Sequence, residues 1–220
     1  MSASETKLME LLCTRLCHDI TGPVGAIANG AEFLAEEDTG MQGQAIELIT
    51  QSASEAVNRL QFYRMAYGRV GAKGEANIAD CKEIIKKFFE NGKISLDWPD
   101  HYTEAANVPI TRNMARLIYN LVIMAAGTLI RGGVVSIRLT KDESENAVVS
   151  IAANGMTIKW DEKVEKALRK TVKVDELEAA TVQAYFSGMI AKEANVTLQI
   201  EQGTENFEIK ATQQQEALVN

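Results

Sequence analysis

The sequence predicts an all-helical hairpin followed by an α/β sandwich, and three observations carry that reading. Over the first 68 residues apolar side chains recur every three or four positions, the period of an α-helix. The stretch Gly68-Arg69-Val70-Gly71-Ala72-Lys73-Gly74 then interrupts the pattern as a glycine-rich linker. Beyond it, helical periods are mixed with segments that alternate apolar and polar residues, the signature of strands with one buried face.

The first helix rests on Leu8, Leu12, Leu16, Ile20, Val24, Ile27, Ala31 and Leu34, and Glu36-Glu37-Asp38-Thr39-Gly40 supplies a polar stop. The second helix rests on Ile46, Ile49, Ala53, Val57, Leu60 and Tyr67. Two helices of this length joined by a tight turn form an antiparallel hairpin. A lone hairpin leaves apolar surface uncovered, so dimerisation into a four-helix bundle is expected in preference to docking on the rest of the chain. Further along, Ile78–Asn91 reads as a helix, and Lys93–Trp98 as a short strand stopped by Pro99. Thr111–Thr128 is a buried helix with Met114, Leu117, Ile118, Leu121, Val122 and Met124 inward. Gly132-Gly133 opens two strands, Val134–Thr140 and Ala147–Ala152. Trp160–Lys170 and Asp175–Ala194 read as helices, Val196–Glu201 and Asn206–Ala211 as strands, and Gln213–Asn220 as a frayed tail. The domain division is therefore 1–70 for the hairpin, 71–74 for the linker, 75–212 for the sandwich and 213–220 for the tail.

Composition excludes several classes of function. The 220 residues carry 23 Lys+Arg against 30 Asp+Glu, a net charge of −7. An acidic chain without a basic block is a poor partner for nucleic acid, whose phosphates demand Lys and Arg. Apolar runs are far shorter than the roughly 20 residues that cross a bilayer. The N-terminus has no signal-peptide core, and three cysteines without framework spacing suit a reducing compartment; a cytoplasmic location is expected.

One of the two histidines, His18, falls in the first helix. At about 100° per residue it lies some 200° from both Leu16 and Ile20, so it points to solvent. Its face carries Leu11, Thr14, Arg15, Thr21, Gly22, Gly25, Asn29 and Glu32, small and polar just after the histidine, which lets another protein approach the imidazole. Gly22, Gly25, Gly30 and Pro23 each cost helix stability, about 1 kcal/mol per Gly and about 3 for Pro. Their concentration at one spot points to function.

The segment His18-Asp19-Ile20-Thr21-Gly22-Pro23 resembles the phosphoacceptor signature of sensor histidine kinases, whose dimerisation domain is a helical hairpin paired into a four-helix bundle. Arg15-Leu16-Cys17-His18-Asp19-Ile20 with Pro23, Gly25-Ala26-Ile27, Gly30 and Leu34 more specifically resembles the bacterial cell-cycle histidine phosphotransferases, the ChpT-like family. Leu60-Gln61-Phe62-Tyr63-Arg64-Met65-Ala66-Tyr67-Gly68 looks like the end of that family's second helix. The resemblance implies that residues 75–212 form a degenerate sandwich like a histidine-kinase ATPase domain. Leu117–Ala125 lines up with the kinase segment that carries a Mg²⁺-binding Asn, and the matching position is Met124. Ile151-Ala152-Ala153-Asn154-Gly155-Met156-Thr157 resembles the adenine-binding box, with Ala153 where an Asp belongs and Thr157 in place of a glycine. The phosphate lid position holds Asp175-Glu176-Leu177-Glu178. Methionine does not ligate a hard cation, and carboxylates repel a triphosphate. No ATP, no other cofactor and no resident metal are expected.

The implied activity is phosphorelay: His18 accepts a phosphoryl group from the receiver Asp of a hybrid histidine kinase and passes it to response-regulator receiver domains. Mg²⁺ would come from the receiver. Asp19 is the adjacent carboxylate, although consecutive helix positions do not share a face. Arg15, Thr21, Gly22 and Gly25 share the face of His18. Folding the hairpin about Thr39–Gly40 brings residue 61 opposite residue 18, so Gln61 and Arg64 are expected to contact the phosphoryl group or its carrier. Gly22 stands where kinases that dephosphorylate their regulator usually carry Thr or Asn. The alternatives are an adaptor that docks receivers without transfer, an ATP-dependent histidine kinase, and metal binding by Cys13, Cys17 and His18, which lacks a fourth ligand. His101 has no constellation around it and reads as surface.

Overall fold

The computed structural model describes residues 2–35, 40–68, 76–99 and 110–214. Helices α1 (Ala3–Ala35) and α2 (Gln42–Tyr67) form the antiparallel hairpin. The face of α1 toward α2 buries Pro23 and Gly30, whereas Val24 is half exposed and Ala31 is exposed. The inward stripe drawn through Leu8 to Leu34 therefore fails at its centre. Repeated steps of four advance the stripe by about 40° each, so four of them walk it off the buried face. At Gly30 the two helices approach closely: a Cβ there would lie 2.6 Å from Ile49 Cγ1 and 3.3 Å from the carbonyl oxygen of Ala45.

Pro23 fixes the hairpin in a different way. Having no N–H, it leaves the carbonyl four residues earlier without its helical donor. That carbonyl belongs to Asp19, and Arg59 of α2 fills the gap, its Nη1 donating at 2.9 Å. Glu55 holds Arg59 in place, accepting Nε at 2.9 Å and facing Nη2 at 2.6 Å.

The far end of α2 docks on the rest of the chain. Phe62, Tyr63 and Ala66 belong to the same buried cluster as Cys81, Ile85 and Phe89 of α3 (Ile78–Phe89). Phe62 stacks on Phe88 at 4.0 Å between centroids and meets Tyr119 edge-on at 5.3 Å. Docking, the less favoured of the two expectations, thus covers one end of the hairpin. Helix ends leave orphan carbonyls, and here α4 (Arg112–Gly127) satisfies them. The carbonyl of Ala66 accepts Asn120 Nδ2 at 2.8 Å and Arg116 Nε at 3.3 Å, and that of Tyr67 accepts Arg116 Nη2 at 3.2 Å. Asn120 is fully buried, and its Oδ1 accepts Gln183 Nε2 at 2.7 Å, while Tyr67 donates its hydroxyl proton to Gln183 Oε1.

Strands β1 (Ile94–Asp97), β2 (Gly133–Lys141), β3 (Ala147–Asn154), β4 (Val196–Gln202) and β5 (Asn206–Gln213) form one sheet in the order β1-β2-β3-β5-β4. Among the described residues β1 and β2 pair in parallel and the other three pairs are antiparallel. Val135, Ile137, Val149, Ile151, Phe207 and Ile209 are buried on the face covered by helices, and the alternating residues Ser136, Arg138, Ser150 and Lys210 lie on the other. This is the expected two-layer sandwich.

Two helix expectations are corrected. The stretch 175–194 is a 3-10 turn at Val174–Glu176, an extended Leu177 that buries its side chain, and then α6 (Val182–Glu193). Helix α5 spans only Glu162–Leu168, because Asp161 caps its start by accepting the N–H of Lys163 and Trp160 is drawn onto Phe207, 4.5 Å between rings. Strand β5 reaches Gln213, past the expected end at Ala211, and Gln213 Oε1 accepts the Thr111 hydroxyl at 3.0 Å. The linker 71–74, the stop at 36–39, His101 and the tail beyond 214 lie outside the described residues. Among the described residues no helix is long and apolar enough to cross a membrane.

Two stability outcomes follow. Asn120→Ala leaves Gln183 Nε2 without its acceptor in the core and should cost about 1–3 kcal/mol in chemical denaturation. Arg59→Met should cost about 1–2 kcal/mol by orphaning the carbonyl of Asp19. In a Pro23→Ala background the restored N–H takes that carbonyl, so Arg59→Met should then cost markedly less; an equal cost in both backgrounds would refute the coupling.

Candidate functional site

His18 stands on the outer surface of α1 with its side chain 87% exposed, as its helical angle predicts. Its Nδ1 lies 3.2 Å from Asp19 Oδ1. The expectation that consecutive residues would not meet is therefore corrected. The Cβ directions diverge by about 100°, but a carboxylate turned toward the ring reaches across the gap. Asp19 is itself only 20% exposed and is tied from below: its Oδ2 accepts the Tyr63 hydroxyl at 2.5 Å, and its backbone carbonyl accepts Arg59. One residue thus touches the imidazole and two positions of α2.

Tyr63 is buried, and burial first, then the Asp19 carboxylate, push its phenol well above the ordinary tyrosine range. It remains a donor. Tyr67 stacks on it, centroids 5.4 Å apart, and burial pushes that phenol up to about 12. Arg15 extends toward the same carboxylate, its Nε 3.9 Å from Asp19 Oδ2 and buried without a hydrogen bond. Its positive charge opposes the upward push of burial on the Tyr63 and Tyr67 phenols.

Beside the imidazole is a shallow cleft of about 340 Å³ lined by His18, Asp19, Gly22, Pro23, Ala26, Ser52, Glu55 and Arg59. A Cβ placed on Gly22 or Gly25 would meet nothing within 4 Å, so no contact inside the chain requires a glycine at either position. Thr21 is exposed and donates its hydroxyl to the carbonyl of Cys17 at 2.7 Å. Gln61 and Arg64 are exposed and do not line the cleft. The hairpin register agrees with the folded-back sequence to within a residue or two, but the residues of α2 that face Asp19 are Arg59 and Tyr63. Sequence signals existed for both: Pro23 announces an orphan carbonyl at Asp19, and Tyr63 lies one helical turn from Arg59.

The second domain places its kinase-like positions in packed surroundings. Met124 is 7% exposed and Ala153 is fully buried, with an apolar side chain at each place where the resemblance calls for a polar ligand. Leu177 is buried, and Val172 and Val174 pack against the same core, so the segment corresponding to the lid is folded into the domain. These residues do not fit a Mg²⁺-nucleotide. Cys13 and Cys17 are exposed free thiols, and among the described residues no group of three or more His, Cys, Asp or Glu side chains is arranged to hold a metal ion.

Comparisons with known proteins agree with this construction. Residues 78–206 match the family model of the histidine phosphotransferase C-terminal domain. The protein phosphotransferase ChpT of Brucella abortus (strain 2308) is 32% identical over 212 residues, 96% of this chain and 98% of the relative. A solved bacterial phosphotransferase superposes with a TM-score of 0.79 at 31% identity, covering 96% of this chain and 97% of the other. With a surface histidine backed by a carboxylate at one end and that C-terminal domain at the other, the chain belongs to the histidine phosphotransferase family and is a phosphotransferase.

Proposed function

We propose that His18 is the phosphoryl carrier of a relay between receiver domains. The observation that carries this reading is the pairing of an exposed imidazole with Asp19 at Nδ1. An ionised carboxylate only accepts, so the ring proton sits on Nδ1 and the lone pair on Nε2 faces solvent. Nε2 attacks the phosphorus of a receiver's aspartyl phosphate, the N–P bond forms as the acyl P–O bond breaks, and the receiver carboxylate leaves. The ring becomes cationic, and Asp19 compensates that charge. Transfer to a response regulator runs the same steps in reverse. Little else is required of the protein, because phosphoryl transfer is mostly alignment and charge. Mg²⁺ belongs to the receiver.

Gly22, Gly25 and Thr21 offer the receiver a low surface beside the imidazole. Arg15 acts through Asp19, and Gln61 and Arg64 serve at most as outer docking contacts. The chain does not draw on ATP; buried Ala153 and Met124 support that statement. We further propose a homodimer: Met9 and Val24 on α1 and Val57 and Leu60 on α2 remain about half exposed, an apolar surface suited to closing a four-helix bundle. The relay would operate in the cytoplasm, where the exposed thiols stay reduced.

Labelled phosphate presented on a phosphorylated hybrid-kinase receiver should pass to the wild-type protein and not to His18→Ala, and labelled ATP alone should mark neither. Label taken directly from ATP would overturn the reading of the second domain. Receiver binding without label would leave an adaptor. A second outcome separates docking from folding. Gly22→Ala should raise stability by about 1 kcal/mol, since the added methyl meets nothing and helix propensity improves. Gly22→Leu should slow transfer from the receiver by roughly a hundredfold, the scale of a small misplacement of reacting groups. Unchanged transfer in Gly22→Leu would remove this face from the interface.

A further inference from the structure

We infer that Tyr63 is a positioning residue for phosphoryl transfer: it holds Asp19 so that the carboxylate faces His18 Nδ1 and keeps Nε2 unprotonated. This rests on the reading of His18 as the phosphoryl carrier. Asp19 is partly buried, and Arg15 of its own helix comes only within 3.9 Å of Oδ2, without a hydrogen bond from Nε to fix the rotation of the carboxylate. The Tyr63 hydroxyl does so from the other helix, donating to Oδ2 at 2.5 Å while Oδ1 lies 3.2 Å from the ring. The two oxygens of one carboxylate are thus divided between two donors, and fixing the first aims the second. A histidine partnered in this way has its tautomer chosen by the hydrogen bond at the other nitrogen.

The phenol is well placed to act as a fixed reference. Its ring is clamped by stacking on Tyr67 and by edge contacts with Phe62 and Phe88, at 5.4, 5.9 and 6.1 Å. The turn that follows is anchored to the second domain through Asn120 and Arg116, which take the carbonyls of Ala66 and Tyr67. Tyr67 continues the chain of contacts to Gln183. The second domain therefore reaches His18 through α2, by way of Tyr63 and Asp19, without touching the imidazole itself.

Tyr63→Phe tests this, because it keeps the packed ring and removes only the donor. The probe is phosphoramidate, a small phosphoryl donor that needs no receiver, with the nitrogen spectrum of His18 read by NMR in the same samples. Tyr63→Phe should remain folded, lose the predominance of the Nδ1–H tautomer, and be labelled roughly tenfold more slowly, the scale of one charge-assisted hydrogen bond. In an Asp19→Asn background, Tyr63→Phe should have no further effect on labelling, since it acts only through that carboxylate. A wild-type tautomer in Tyr63→Phe, or an equal slowing in both backgrounds, would overturn the inference. Failure of the receiver as a donor would refute the relay and leave these measurements intact, so the two readings fail separately.

Discussion

The hydrogen bond from Arg59 to the carbonyl of Asp19 exists because of a proline four residues further on. Pro23 removes the helical donor for that carbonyl at a propensity cost of about 3 kcal/mol, and the vacancy is filled from α2 at 2.9 Å. The bond fixes the height of one helix against the other at the level of His18. One turn further along α2 from Arg59, the same register sets Tyr63 against the side chain of Asp19. Both ends of Asp19, backbone and carboxylate, are therefore held by α2, and His18 inherits its partner from that arrangement.

The second domain enters through the end of the same helix. Orphan carbonyls at a helix terminus must find donors, and those of Ala66 and Tyr67 find them in Arg116 and Asn120. Helix α4 belongs to the segment that resembles the nucleotide-handling part of histidine kinases, yet its buried amide is committed to α2 and to Gln183. With Ala153 and Met124 apolar and packed, the fold is suited to holding the hairpin. A polar network of this kind stabilises only when every member is satisfied, and Asn120, Gln183 and Tyr67 satisfy one another.

The order of elements, the sandwich and the exposed histidine were legible in the sequence because each depends on local period. The partners of Asp19 were less so. Reflection of the hairpin about its turn places residue 61 opposite residue 18, and register was sound to within a residue or two; but register does not decide which face of α2 turns inward, and residues 61 and 59 lie about 200° apart. Val24 lies off the buried side because a ladder of fours drifts around the helix by about 40° per step. The stretch 175–194 looked continuous because its helix formers conceal an extended Leu177, which is set by burial in the tertiary core. Long-range donors such as Asn120 carry no local signal at all.

The three glycines of α1 show why composition alone could not separate structure from function. Gly30 is required by the hairpin, since a side chain there would run into Ile49 and the backbone of Ala45. Gly22 and Gly25 face open space, and a methyl on either would improve the helix without a clash. The same residue type therefore answers two different constraints within nine positions, and the discriminating quantity is what an added Cβ would touch. Gly22 borders the cleft beside His18, and in the proposed relay a surface kept low there leaves room for the receiver to bring a phosphoryl group to Nε2.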